Sequence, residues 1–124
     1  MDDELIEICI GGHCRVLMTR QVLKQFRKTD ARDRARCTKW MGFYAKDGHE
    51  LLDNEKLKHE GKFSTGMQNG TQVSIWAFKA WQIRLYGGHA ANGDFVITEF
   101  DIKKQDNADQ EKLKQAAKKL ANYL

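Results

Sequence analysis

The stretch Val73–Lys104, VSIWAFKAWQIRLYGGHAANGDFVITEFDIKK, constrains the fold more than any other part of the chain. It holds three apolar-rich segments, Val73–Phe78, Trp81–Tyr86 and Phe95–Phe100. The link Lys79–Ala80 joins the first two, and the glycine-rich GGHAANGD joins the second and third. Trp, Tyr, Phe, Ile and Val dominate all three, and such residues suit a pleated, half-buried surface. The spacing predicts an antiparallel three-stranded meander that ends in the basic pair Lys103–Lys104.

The rest of the chain reads as cover for this sheet. Leu5–Ile10 alternates like a strand and stops at Gly11–Gly12, and Arg15–Met18 extends it after a bend. Thr19 is placed to cap a helix carrying Val22, Leu23 and Phe26, and Asp30 to cap a second. That second helix sets Cys37, Trp40, Met41 and Tyr44 on one face and ends at Asp47–Gly48. From His49 to Gly70 the chain is polar, with glycines and isolated apolar residues, and reads as a long connection. Asn107 is a candidate cap for a last helix, in which Leu113, Ala116, Ala117, Leu120 and Leu124 form an apolar stripe.

At 124 residues, 41% hydrophobic and 31% charged, the composition fits a single globular domain over residues 1–124 rather than a disordered chain. No apolar run nears the roughly 18 residues of a membrane span. The acidic start MDDELIE is unlike a signal peptide, which places the protein in the cytoplasm. Cys9, Cys14 and Cys37 lack metal-type spacing. Cys9 and Cys14 with His13 offer only a partial metal site, and with no second ligand pair following, the better reading is buried free thiols and no metal. There is no nucleophile elbow, P-loop, HExxH motif or dinucleotide fingerprint.

The net charge is +4, and its distribution says more than its size. From Arg15 to Lys39, Arg15, Arg20, Lys24, Arg27, Lys28, Arg32, Arg34, Arg36 and Lys39 face only Asp30 and Asp33. Such a cluster is either a solvated helix face or a surface for polyanions.

Sheet and helices each need one face buried, so all the helices are expected on one side of the sheet, leaving the other open. Strand alternation then turns Trp81, Ile83 and Leu85 toward the helices and Gln82, Arg84 and Tyr86 outward. A guanidinium, a phenol and an amide suit phosphate and bases. If Val73, Ile75 and Ala77 are core, Trp76 and Phe78 stand on the open face near Arg84 as a stacking platform; the alternative is that both are core. His89 lies in the glycine-rich loop, whereas His13, His49 and His59 show no partners in the sequence.

The layout has a further likeness. A helical hairpin, YAKDG before the long connection, a tryptophan-bearing strand, W-x-I-R-L-Y at residues 81–86, F-x-x-K-K at 100–104 and a Lys/Ala-rich last helix follow one another. From Thr19 to the end this order resembles the RelE/ParE superfamily of small bacterial toxins, closest to its HigB-like and phage-encoded branches. The resemblance implies an α+β fold of RelE type: a small antiparallel sheet, a helical hairpin packed on one face and a C-terminal helix. It implies a toxin of a type II toxin–antitoxin pair, held in check by a cognate antitoxin protein. Its activity would be ribosome-dependent mRNA cleavage by attack of the 2′-hydroxyl on the adjacent phosphate, with no metal and no small-molecule cofactor.

Carried over by position, the family's arginine falls at Gln82, and Arg84 can substitute for it. The two strand lysines of RelE fall at Ser74 and Trp76. Lys103 and Lys104 match the F-x-K-K element. The resemblance therefore names Arg84, Lys103, Lys104, Gln82 and His89 as catalytic candidates. Tyr86, Trp76, Lys79, Arg27, Arg32, Arg34 and Arg36 are the RNA-binding candidates, with mRNA and the ribosome as partners. Two alternatives remain: a non-catalytic phage or prophage effector on the same fold that grips a host protein or nucleic acid, and a ParE-type gyrase poison.

Overall fold

The computed structural model describes residues 4–104 and 108–124. The elements follow as β1 (Leu5–Ile10), β2 (Arg15–Thr19), α1 (Arg20–Phe26), α2 (Ala31–Asp47), β3 (Leu57–Ser64), β4 (Gln72–Ala80), β5 (Ile83–His89), β6 (Phe95–Ile102) and α3 (Gln110–Leu120), with a 3₁₀ turn over Ala121–Tyr123. The protein is α+β, with one six-stranded mixed sheet ordered β1-β2-β6-β5-β4-β3. β2 lies parallel to β6 and every other neighbouring pair is antiparallel. The sheet is thus larger than expected and mixed, not wholly antiparallel, because β2 returns beside β6 through the helices and the meander.

The helix ends follow the expected capping chemistry. The Thr19 hydroxyl accepts from the Val22 amide at 3.2 Å, and the Asp30 carboxylate accepts from the Arg32 amide at 2.9 Å. Each satisfies an orphan donor of a first turn. Gly48 closes α2 at φ 74°, a conformation that favours glycine, and its N–H donates to the Tyr44 carbonyl at 2.9 Å. α3 is capped by Asp109, which accepts from the Glu111 amide at 2.9 Å. Asn107, the expected cap, lies outside the described residues.

Four sequence expectations are corrected. First, the polar connection from His49 to Gly70 contains β3, an edge strand paired with β4. Its residues LKHEGKFS carry charges and a bulge where a buried strand would carry apolar residues, as edge strands do. Second, Arg15–Met18 does not prolong β1: it folds back on it as β2, through hydrogen bonds such as Gly11 N–H to Cys14 O at 3.1 Å. Third, Lys79–Ala80 is strand, and the turn is Trp81–Gln82, between the paired residues Ala80 and Ile83.

Fourth, neither face of the sheet is open over its centre. α1 and α2 cover one face, on Phe78, Leu85, Phe95 and Ile97. α3 covers the other, where Leu113, Ala116, Ala117 and Leu120 meet Ile75, Ala77 and Tyr86. Full burial of a leucine such as Leu113 or Leu120 is worth about 1.5–3 kcal/mol, which makes the apolar stripe of α3 a strong reason to occupy that face.

A bulge adapts β6 to α3. Tyr86 pairs with Glu99 and Gly87 with Ile97, which leaves Thr98 as the extra residue. Thr98 and Glu99 therefore both address α3. The Thr98 hydroxyl donates to the Ala116 carbonyl at 2.8 Å, and Lys119 Nζ lies 2.9 Å from the Glu99 carboxylate. The strands approach so closely here that a Cβ on Gly87 would run into the Val96 carbonyl.

Candidate nucleic-acid interface

The site builds up from the Trp81–Gln82 turn. Trp81 has φ 51°, the only positive φ among the described non-glycine residues, and Gln82 follows without one. These are the φ signs of a type II′ hairpin turn, whose first central position normally holds glycine. The turn is held from two sides. The Arg84 guanidinium donates to the carbonyls of Trp81 at 2.6 Å and Ile83 at 2.8 Å. The Lys103 amide donates to the Gln82 carbonyl at 2.7 Å.

Behind the turn, Lys79, Arg84 and Asp101 form a cross-strand row over β4, β5 and β6. Burial pushes the pKa of Arg84 down, although nearby acidic groups oppose it. Burial also lowers the pKa of Lys79, and the charges of Arg84, Lys58 and Lys103 lower it further. The row is thus an excess of positive charge, and an anion placed there would be favoured. Burial raises the pKa of Asp101, against the opposing charge of Lys112. Glu60 sits in the β3 bulge, 3.6 Å from Lys58. Arg84 is hydrogen-bonded to the turn and Lys79 Nζ donates to the Asn54 carbonyl at 3.1 Å, so the cluster offers an anion a positive field rather than free donors. Among the described residues no group of three or more His, Cys, Asp or Glu side chains is arranged to hold a metal ion.

Arg84, Lys79, Gln82 and Lys103 are brought together, with Lys104 next in the chain. Tyr86 shares their side of the sheet but is fully buried beneath α3, so it is not an outward-facing RNA contact. Trp76 faces the opposite side from Arg84, half-buried between His59, 4.7 Å away between ring centres, and His49, 6.4 Å away. Phe78 is core on that same side. Trp81 does not face the helices: it is 71% exposed at the turn. His89 lies at the far end of β5, where its Nε2 meets the Tyr44 hydroxyl at 2.6 Å and its Nδ1 the Gly93 carbonyl at 2.9 Å. It is therefore separate from the cationic cluster.

The basic hairpin splits into two kinds of residue. Arg34 is structural, because its guanidinium donates to the carbonyls of Arg27 at 3.0 Å and Thr29 at 2.6 Å across the α1–α2 connection. Arg36 lies 4.0 Å from Asp33. Arg27 and Arg32 are exposed and make no ion pair among the described residues. Sequence reasoning missed Glu60, Asp101 and the exposure of Trp81. Glu60 was hidden in a segment read as loop, and Trp81 followed from placing the turn two residues too early.

Comparison of the chain with protein-family models, with curated proteins and with solved structures found no match.

Proposed function

We propose that the protein is a toxin of RelE/ParE type that acts on ribosome-bound mRNA in the cytoplasm and is neutralised by a cognate antitoxin. The observation that carries this reading is the gathering of Lys79, Arg84 and Lys103 at one end of the sheet, with Arg36 and Lys39 of α2 lining the same cleft as Lys79. The element order from β2 onward supports the RelE-like fold: strand, helical hairpin, antiparallel strands, last helix. In this reading the exposed arginines meet ribosomal RNA and the lysines hold the scissile phosphate. The 2′-oxygen bonds to the adjacent phosphorus as its proton passes to solvent. The bond from phosphorus to the 5′-oxygen breaks, that oxygen leaves with a proton as a 5′-hydroxyl, and a 2′,3′-cyclic phosphate remains. The lysines neutralise the charge that develops on the phosphate oxygens. Inducing the protein in a bacterium and mapping transcript 5′ ends tests it. New ends that vanish in a Lys103→Ala/Lys104→Ala variant are expected, and growth arrest without new ends contradicts cleavage.

One observation favours the second reading, an effector that binds without cutting. Arg84 is committed to backbone carbonyls, and His89 lies away from the cations. Growth arrest with intact transcripts is the outcome expected of a binding effector. A DNA-damage response on induction would instead indicate a gyrase poison.

A further inference from the structure

We propose that Trp81 and the cleft beside it, between α2 and the β4–β5 turn, form a binding site for single-stranded polynucleotide. The indole stacks on an unpaired base, and the surrounding cations hold the flanking phosphates. The proposal rests on the RNA-directed reading and specifies its substrate as unpaired rather than duplex strand.

Neither backbone nor burial accounts for Trp81. Glycine suits its position in a type II′ turn, and a bulky residue at positive φ is strained there. Its ring is left 71% exposed. Strain of this kind persists only where neighbouring contacts over-determine it, and here Arg84 and the Lys103 amide do so. An aromatic ring displayed at this disadvantage is explained by what it touches outside the protein.

The surroundings identify that ligand. The cleft, of about 500 Å³, is lined by Arg36, Lys39, Trp40, Lys56, Lys79 and Trp81, with Glu55 as its lone carboxylate. Lys39 and Lys56 already lie over the Trp40 ring, at 5.8 and 5.3 Å from its centre. No cation lies over Trp81 among the described residues, and Trp81 also lines a second cleft, of about 360 Å³. The apolar part of that cleft is Ile83, Phe100 and Ile102 and its rim carries Lys28, Asp30 and Asp33, so the phosphates belong on the first cleft's side and the base on this one. A cationic wall, a free indole and an apolar floor match a phosphate backbone with an unstacked base. A duplex keeps its bases stacked and offers Trp81 nothing to pair with.

The test is fluorescence anisotropy of the full chain with fluorescein-labelled oligouridylate, oligothymidylate and an RNA duplex of equal length. Binding to both single strands, tighter than to duplex, is expected. Trp81→Gly, which suits the turn, and Trp81→Ala should each weaken single-strand binding about tenfold and leave duplex binding unchanged. Lys39→Ala and Lys56→Ala should flatten the salt dependence. Single-strand binding unchanged in both Trp81 variants overturns this site and leaves the RNA-directed reading standing. Duplex bound as tightly as single strand also overturns it. A wild-type protein that binds no polynucleotide overturns this site, whereas the RNA-directed reading is overturned by unchanged transcript 5′ ends on induction.

Discussion

The Arg84 guanidinium reaches back over its own turn to the Trp81 carbonyl, 2.6 Å away, and to that of Ile83, 2.8 Å away. A residue whose charge and strand position point to phosphate is thereby a clamp on the backbone that displays Trp81. The two roles differ in what lysine can replace. Lysine keeps the charge but lacks the planar fork. Arg84→Lys and Arg84→Ala should each lower stability by about 1–3 kcal/mol in urea unfolding, because the buried Ile83 carbonyl and the half-buried Trp81 carbonyl lose a charged donor. A lysine variant as stable as wild type would return Arg84 to a purely electrostatic role.

The turn itself gives a prediction of opposite sign. Trp81→Gly removes an exposed side chain and relieves a left-handed conformation that costs an L-residue about 1–2 kcal/mol. The added chain entropy of glycine offsets part of this gain. The variant should be more stable by about 0.5 kcal/mol, read as a higher urea midpoint at unchanged slope. A clear loss would mean that the indole makes stabilising contacts at the turn.

Much of the architecture was legible where local chemistry decides it. Thr19 and Asp30 announce their helices because a capping side chain needs only the next three residues. The meander was legible from its aromatic and β-branched runs. The second sheet face was not, because strand alternation says which residues share a face and not whether a helix covers it. β6 opens with Phe95, Val96 and Ile97, apolar at both parities, and that short run was the available sign that both faces are buried. β3 escaped because an edge strand with charges, a glycine and a bulge has the composition of a loop. At the site, charge clustering located the cations, but only pairing register could show that Arg84 joins Lys79 and Asp101 while Trp76 turns away.

Asp94 anchors the end of the sheet where β6 begins. Its carboxylate receives Arg15 Nε at 3.2 Å and Nη2 at 2.6 Å, with Asn92 Nδ2 at 3.0 Å. The Arg15 hydrogen bond holds its pKa below the ordinary carboxylate range. A depressed folded pKa contributes stability that is present above the unfolded value, roughly 4, and is lost as pH falls through the folded one. Burial shifts Asp101 the other way, so its charged form weakens the fold and protonation relieves it. Urea midpoints measured from pH 7 downward should therefore fall less steeply in Asp94→Asn and more steeply in Asp101→Asn than in wild type. An acid limb unchanged in Asp94→Asn would mean that the Arg15 pair is not coupled to folding.

Tyr86 is fully buried under α3, and its hydroxyl is the one buried side-chain polar atom without a hydrogen-bond partner among the described residues. A buried polar group left unpaired costs about 1–3 kcal/mol, while the ring itself fills the core against Ala116, Ala117 and Leu120. Tyr86→Phe keeps the ring and removes the orphan, so stability should rise by about 1 kcal/mol. RNA binding should be unaffected. Burial also pushes the Tyr86 phenol well above its ordinary pKa, and pushes Tyr44 up to about 12. A raised phenol pKa contributes stability that is fully present below the unfolded value, roughly 10, and is lost as pH rises through the folded one. Phenolate absorbance in wild type should therefore show two tyrosines ionising late, with alkaline unfolding, and Tyr86→Phe should remove one of them. A fall in stability together with lost RNA binding would instead make the Tyr86 hydroxyl a working group of the site.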